Sequence, residues 1–239
     1  MTFNRKIINI NATINGGFIK CCPLTKNDIQ QLGLRGIHCG SGLNLHTGWL
    51  NTDYLQIGDQ FGNTSNIGNL IVVAENQYYL QHDQTQPIPI EDSVFDYAFS
   101  EHFIEHITIE QAIQWLKEIR RILKIGGVLR LSTPDLYLYV SGYLDNTQSF
   151  YKQHCDNLSK MGFKNPPQRK AWMMNQIFRF WGHQWIYDFD EIKTIAVAAG
   201  FKTQDVLKYN FQQGSIPELF KLDLADRSDE SIYVEIRKT

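Results

Sequence analysis

No stretch of the 239-residue chain approaches the roughly 18 apolar residues that a membrane span requires, and MTFNRKIINI at the start has no uninterrupted apolar run of the export-signal kind. The expectation is a soluble, unexported protein of the cytoplasm. Cysteine is scarce: four in a chain of this length make no disulfide framework, and the adjacent Cys21 and Cys22 lack metal-ligand spacing, so reduced thiols are expected. An excess of one charge is missing as well. Lys and Arg number 23 against 25 Asp and Glu, giving a net charge of −2 with no basic run. That excludes the phosphate-contact footprint of bulk nucleic-acid binding. Internal repeats, low-complexity tracts and coiled-coil heptads are absent too.

What is present is enough apolar sequence, 43%, for one sizeable core, so one α/β domain spanning residues 1–239 is expected. Residues 1–34 read as an N-terminal appendage: KIININATING and GFIKCCPL alternate about Gly16-Gly17 like a two-residue hairpin, and TKNDIQQLG follows as a short helical turn. LRGIHC and GWLNTDY read as strands on either side of a glycine turn, and FDYAFS as a further strand. Thr108 and Gln111 then form a capping box. Ile109, Ala112, Ile113, Leu116, Ile119 and Leu123 recur at helical spacing, so the helix is predicted to run on to Gly126-Gly127. The strand GGVLRLSTP follows. Strand, helix, strand in that order implies a parallel sheet covered by helices.

Residues 136–182 interrupt this rhythm with aromatics, amides and Pro166-Pro167, and are too long for an ordinary connection. A partly helical insertion serving as a lid over an acceptor site is expected. DFDEIKTIAVAAGF restores the pattern with an acid-rich first turn, Ile192, Ile195, Ala196 and Ala199 on one face, and Gly200 just beyond, and SIYVEIRK is a late strand.

The stretch GIHCGSGLNLHTGWLNTD, residues 36–53, carries the first chemical signal. A nucleotide-binding turn at a strand's carboxyl end needs glycines for close backbone approach and an acid after the next strand for the ribose hydroxyls. Gly40 and Gly42 supply the turn and Asp53 the acid. There is no G-x-G-x-x-G, and Asp53 stands closer than the roughly 20 residues of the dinucleotide fingerprint, so a nicotinamide cofactor fits poorly. An ordinary strand-turn-strand is the competing reading.

Several blocks in order decide for a ligand. PIPIEDSVFDYAFSEHFIEHI followed by LKEIRRILKIGGVLRLSTPD resembles the central blocks of class I S-adenosylmethionine-dependent methyltransferases, in the branch that opens with GCG…GW-N-D. NQIFRFWGHQWIYDFDEI…AAGF and SIYVEIRK resemble its later blocks, so the likeness extends over roughly residues 35–236. The resemblance implies a Rossmann-like doubly wound α/β fold with a mostly parallel sheet of about seven strands and helices on both faces. It implies S-adenosylmethionine as cofactor and S-adenosylhomocysteine as product. By the same likeness His38, Cys39, Gly40 and Gly42 pack against the methionine part, Asp53 holds the ribose, Asp83 the adenine amine, and Ser100, Glu101 and His102 border the methyl group. Two departures stand out: His38 replaces the first glycine of G-x-G-x-G, at a steric cost if positive φ is needed there, and Gly36 stands where many relatives have an acid.

Methyl transfer to a hydroxyl needs alignment and a base. His183 in WGHQW or His102 suits that role, with Glu105 and His106 orienting it, since residues 102, 105 and 106 share one face of a helical turn. Alternatively Glu105 and His106 only fix the loop. His102, Glu105, His106 and His183 also resemble the metal site of small-RNA 2′-O-methyltransferases, and such a set would suit zinc or another divalent transition metal. Within 136–182, Tyr137, Tyr139, Tyr143, Phe150, Tyr151, Trp172, Phe178, Phe180 and Trp181 wall a pocket or simply form core. Trp181, Trp185 and Tyr187, which flank His183, are candidate acceptor contacts. Arg179 would meet an acidic acceptor or pair with Asp188. The expected acceptor is a small molecule, a sugar or natural-product hydroxyl. A small amine, or a non-catalytic scaffold role, is the alternative.

Overall fold

The computed structural model describes residues 8–9, 18–58, 64–74 and 76–239. In chain order its strands are β1 (Ile8–Asn9), β2 (Phe18–Cys21), β3 (Gly36–Cys39), β4 (Leu50–Asp53), β5 (Ile57–Gly58), β6 (Asn69–Ala74), β7 (Gln77–Gln81), β8 (Phe95–Glu101), β9 (Leu123–Pro134), β10 (Val206–Tyr209) and β11 (Ser231–Arg237). The helices are α1 (Lys26–Gln31), α2 (Ile109–Ile122), α3 (Leu136–Leu144), α4 (Ser149–Lys160), α5 (Lys170–Arg179), α6 (Phe189–Ala198) and α7 (Pro217–Phe220). The fold is α/β and Rossmann-like. The chain forms two compact units. One comprises Met1–Phe99, Glu118–Val128 and Lys238, the other Ser100–Lys117, Leu129–Arg237 and Thr239.

In the first unit the strand order is β8-β3-β4-β7-β6-β2. The parallel centre places Ile37 opposite Leu50 and Leu50 opposite Tyr78. All four residues of β3 and the first three of β4 are buried, the near-continuous burial expected of parallel strands covered on both faces. At the edge, β7, β6 and β2 run antiparallel. Gly36 has a packing reason to be glycine: a Cβ there would lie 2.5 Å from the Trp49 ring and 2.6 Å from the Tyr97 carbonyl. The missing acid at that position is therefore the space into which the tryptophan of GWLNTD packs. In the second unit the order is β10-β11-β9, with β10 and β11 antiparallel.

The strands number nine in these orders instead of about seven, because β6 and β2 extend the first unit by antiparallel pairing. Of the expected N-terminal hairpin only the ends are described. The turn Gly16-Gly17 lies outside the described residues, β1 pairs in parallel with β5, and β2 pairs with β6. Thr25 and Asp28 close a capping box on α1. The Thr108–Gln111 box also forms, with Thr108 N–H donating to Gln111 Oε1 at 3.0 Å. Helix α2, however, ends at Ile122 and passes directly into β9, so Leu123 is strand and Gly126, at φ +84°, lies within β9. No helix among the described residues is long and apolar enough to cross a membrane.

The segment 136–182 holds α3, α4 and α5, with a core of its own: Tyr139, Tyr151, Cys155, Met173 and Ile177, joined by Ile186. Tyr139 and Tyr151 are thus packing residues, with Phe150 and Trp172 against them, whereas Tyr137, Tyr143 and Phe178 are exposed. Asp188 caps α6 through Glu191 N–H at 2.9 Å, and Gly200 follows the helix at φ +96°.

Candidate functional site

In the first unit the turn after β3 has the backbone the sequence anticipates, with Gly40 at φ +68° and Gly42 at φ +52°. Gly42 N–H donates to Asp53 Oδ2 and Leu55 N–H to Asp53 Oδ1, both at 2.8 Å, so the acid that ends β4 also fixes the turn. Each carboxylate oxygen keeps a lone pair for a further donor. A Cβ on Gly42 would meet nothing within 4 Å, and the buried Ser41 Oγ has no partner among the described residues. Open space at the glycine, an orphaned hydroxyl and a fixed carboxylate suit the polar, hydroxyl-bearing cofactor that the sequence implies. Asp83 accepts from Thr85 N–H at 3.0 Å and Thr85 Oγ1 at 2.7 Å, both on Oδ1.

His38 does not sit in the turn. It is the third residue of β3, its φ is not positive, and the expected backbone cost does not arise. Its ring is buried, stacked 4.5 Å from His46 and edge-on to Phe99 at 5.1 Å. Burial and then the neighbouring His46 push it down to about 3, so it is a neutral core residue. Cys39, also buried, completes the strand. Asn51 pins the loop before β4, accepting from His46 N–H at 2.8 Å and donating to the His46 and Tyr78 carbonyls at 3.0 Å each.

In the second unit Ser100 is buried with its Oγ unpartnered, and Glu101 Oε1 accepts from Leu224 N–H at 3.0 Å. His102 holds a left-handed backbone, φ +49°, uncommon for a residue with a Cβ and found at constrained sites. Both its nitrogens are occupied: Nε2 lies 2.7 Å from Ser231 Oγ, and Nδ1 lies 3.2 Å from Glu105 Oε1 and 3.3 Å from Arg227 Nη1. Glu105 is fully buried in the short turn Ile104–His106 and accepts from Thr133 Oγ1 at 3.0 Å. Burial opposes its ionisation, but the His102 and His106 imidazoles overcome this and hold it down at about 2.

His183 arrives from the loop after α5. Its Nδ1 lies 2.6 Å from the Ile177 carbonyl, so it must donate there, which leaves Nε2 the lone pair. Two straps dock this loop: the Gln184 N–H donates to the Glu105 carbonyl at 2.7 Å, and the Gln184 side-chain amide to the His106 carbonyl at 2.6 Å. The His183 ring stands 4.9 Å from that of His106 and 5.6 Å from that of Trp181, itself at φ +57°. One ligand-type atom each from Glu105, His106 and His183 falls within 4.8 Å of the others. His102 is not part of that trio; its ring is engaged by Ser231 and Arg227. Burial lowers His106, which is neutral at neutral pH.

The other candidates separate. Tyr187 is fully buried and its hydroxyl has no partner among the described residues, so it is core. Arg179 is exposed, and Asp188 spends its carboxylate on capping α6. Trp185 is half exposed, donates Nε1–H to Glu191 Oε1 at 3.1 Å, and lines a cavity of about 630 Å³ with Leu136, Phe178, Gln184 and Ile186. Sequence reasoning missed Thr133, Arg227 and Ser231. Nothing in local spacing marks them, since the Ser231–His102 contact spans 129 residues.

Residues 38–131 match a family model described as methyltransferase domain. No curated protein matches the chain. Among solved structures, an S-adenosylmethionine-dependent methyltransferase from Mesorhizobium loti shares 15% identity over 89% of this chain and 96% of its own, at a TM-score of 0.46. One from Archaeoglobus fulgidus shares 12% over 89% and 92%, at 0.43. The CurJ carbon methyltransferase shares 14% over 87% of this chain, at 0.43, and this chain spans only 49% of that one.

Proposed function

We propose that this chain, whose residues 38–131 match a methyltransferase-domain model, is a class I S-adenosylmethionine-dependent methyltransferase, that it methylates a hydroxyl of a small molecule and that His183 is the general base. One observation carries the assignment: His183 Nδ1 is committed to the Ile177 carbonyl, so the Nε2 lone pair is free for an acceptor proton, whereas both nitrogens of His102 are occupied. Bound S-adenosylmethionine supplies the methyl group on a sulfonium. By the sequence likeness the turn 39–42 and Asp53 would hold the cofactor's methionine and ribose parts, Asp83 its adenine amine, and Ser100, Glu101 and His102 would stand at the methyl group. Ionised Glu105, with His106 beside it, stabilises the imidazolium that forms when His183 takes the acceptor's proton. Trp181 and Trp185 flank the acceptor.

The test is release of S-adenosylhomocysteine across a panel of sugar and phenolic hydroxyls and small amines, with wild type and His183→Ala. Turnover of a hydroxyl that falls 100-fold or more in the variant, while S-adenosylhomocysteine affinity is unchanged, supports the reading. Turnover of amines alone, or of nothing, rejects it.

A second reading has its own observation, the convergence of Glu105, His106 and His183. Two imidazoles and a carboxylate suit zinc, which would polarise an acceptor oxygen. It would take the same Nε2, so base and ligand roles for His183 exclude each other. Elemental analysis after zinc loading separates them: about one zinc per chain, lost in His183→Ala, favours the metal, and none removes it.

A further inference from the structure

The five residues Arg227–Ser231 face two ways. Arg227 and Ser231 hold the ring of His102. Between them, Asp229 and Glu230 bind the helices of the 136–182 insertion. His154 Nδ1, from α4, lies 2.8 Å from Asp229 Oδ2. The Tyr139 hydroxyl, from α3, lies 2.5 Å from Glu230 Oε2 and 2.9 Å from His154 Nε2. Tyr139 is fully buried, and the side chains of His154, Asp229 and Glu230 are 2%, 4% and 8% exposed.

Counting protons makes this cluster unusual. Three short contacts, Glu230–Tyr139, Tyr139–His154 and His154–Asp229, each need one proton. Ionised carboxylates, a neutral phenol and a neutral imidazole supply only two. The three contacts together therefore need one proton more than that, shared within the cluster. Without it, two acceptors face each other out of reach of water, which buried structure does not sustain.

We propose that this cluster is a positioning device: its shared proton ties α3 and α4 to the Arg227–Ser231 strap and thereby fixes the ring of His102. The inference rests on the reading that places His102 beside the transferred methyl group. Among the described residues, His154 faces Asp229 and Glu230 from the strap, Tyr139 from α3, and the Phe150 ring of its own helix at 5.7 Å. Beyond them, Asn157 bonds Asp229, and Gln176 of α5 lies beside Tyr139. Where the Tyr139 link is cut, the strap is no longer held from the side of α3 and α4, and His102 loses the geometry that Ser231 and Arg227 impose.

The experiment is 15N-histidine spectroscopy of the full chain at one fixed neutral pH, with ring signals assigned through His154→Gln and His102→Gln. Tyr139→Phe, which removes the linking hydroxyl and keeps the ring, is expected to displace the His102 ring signals from their wild-type positions. Asp229→Asn, the second variant, weakens the His154 contact and is expected to displace them in the same direction by less. His102 signals unchanged in both variants, or changes confined to His154, overturn the proposal. S-adenosylhomocysteine binding, measured on the same samples, reports separately on the methyltransferase reading, and its failure leaves the coupling result interpretable.

Discussion

Two buried ionic clusters of the second unit differ in one respect, whether their hydrogen-bond valences are filled. Arg130, fully buried in β9, has five N–H donors and five contacts for them: Nε and Nη2 to the two oxygens of Asp223 at 2.7 and 2.6 Å, Nη1 to the Gln213 carbonyl and Glu235 Oε1, and Nη2 to the Asn210 carbonyl. The acceptors are equally used, Asp223 by Gln212 N–H and Glu235 by Ser215 N–H, each at 2.9 Å. A Cβ on Gly214 would fall 2.1 Å from Glu235 Oε1, so even the covering loop is shaped to the cluster. The other cluster, Glu105 with His106 and His183, is left open: Glu105 Oε1 has His102 Nδ1 at 3.2 Å and His106 Nε2 only at 4.0 Å, and His183 Nε2 keeps its lone pair. A closed cluster binds loops to strands. An open one has capacity for a reacting molecule.

Breaking each cluster should therefore be read out differently. His183→Ala is expected to cost about 10²–10⁴-fold in methyl-transfer turnover with the melting temperature nearly unchanged, checked by S-adenosylhomocysteine release and calorimetry. Asp223→Ala should do the reverse. It removes the two short bonds that pair the buried Arg130 charge and leaves only the longer Glu235 contact, at a cost of about 3–5 kcal/mol, measured by urea unfolding, and activity is lost only where the protein unfolds. Below these lies the stacked pair of buried His38 and half-buried His46, held down to about 3 and about 4, mainly by desolvation. The unfolded chain binds their protons near pH 6.5, so this stability is present above pH 6.5 and drains away as pH falls toward 3. His38→Phe should flatten that acid limb in denaturation curves between pH 3 and 7. His38→Gly should destabilise without tightening cofactor binding, because the ring fills core. The smallest effect belongs to Thr133→Val, which removes one bond to Glu105 and should slow turnover several-fold, about 1 kcal/mol.

The sequence made visible what is local. The capping box of α2, the turn glycines 40 and 42 with the acid Asp53 eleven residues on, and the 102-105-106 spacing are all short in sequence. What it concealed is long-range. Arg130 reaches Asp223 across 93 residues, and Thr133 reaches Glu105 across 28. Leu123 continues the apolar periodicity of α2, yet pairing in β9 claims it before the glycines do. His38 looked like an eroded turn residue because position in a motif does not say where a side chain points. Its ring lies against His46 and Phe99.

The most direct test of the cofactor assignment is calorimetric titration of S-adenosylhomocysteine into wild type, Asp53→Asn and His183→Ala. The expected result is saturable binding to wild type, equal within twofold in His183→Ala, and at least tenfold weaker in Asp53→Asn. Asp53→Asn binding as tightly as wild type, or wild type not binding at all, would contradict the assignment of the turn and Asp53 as the cofactor site.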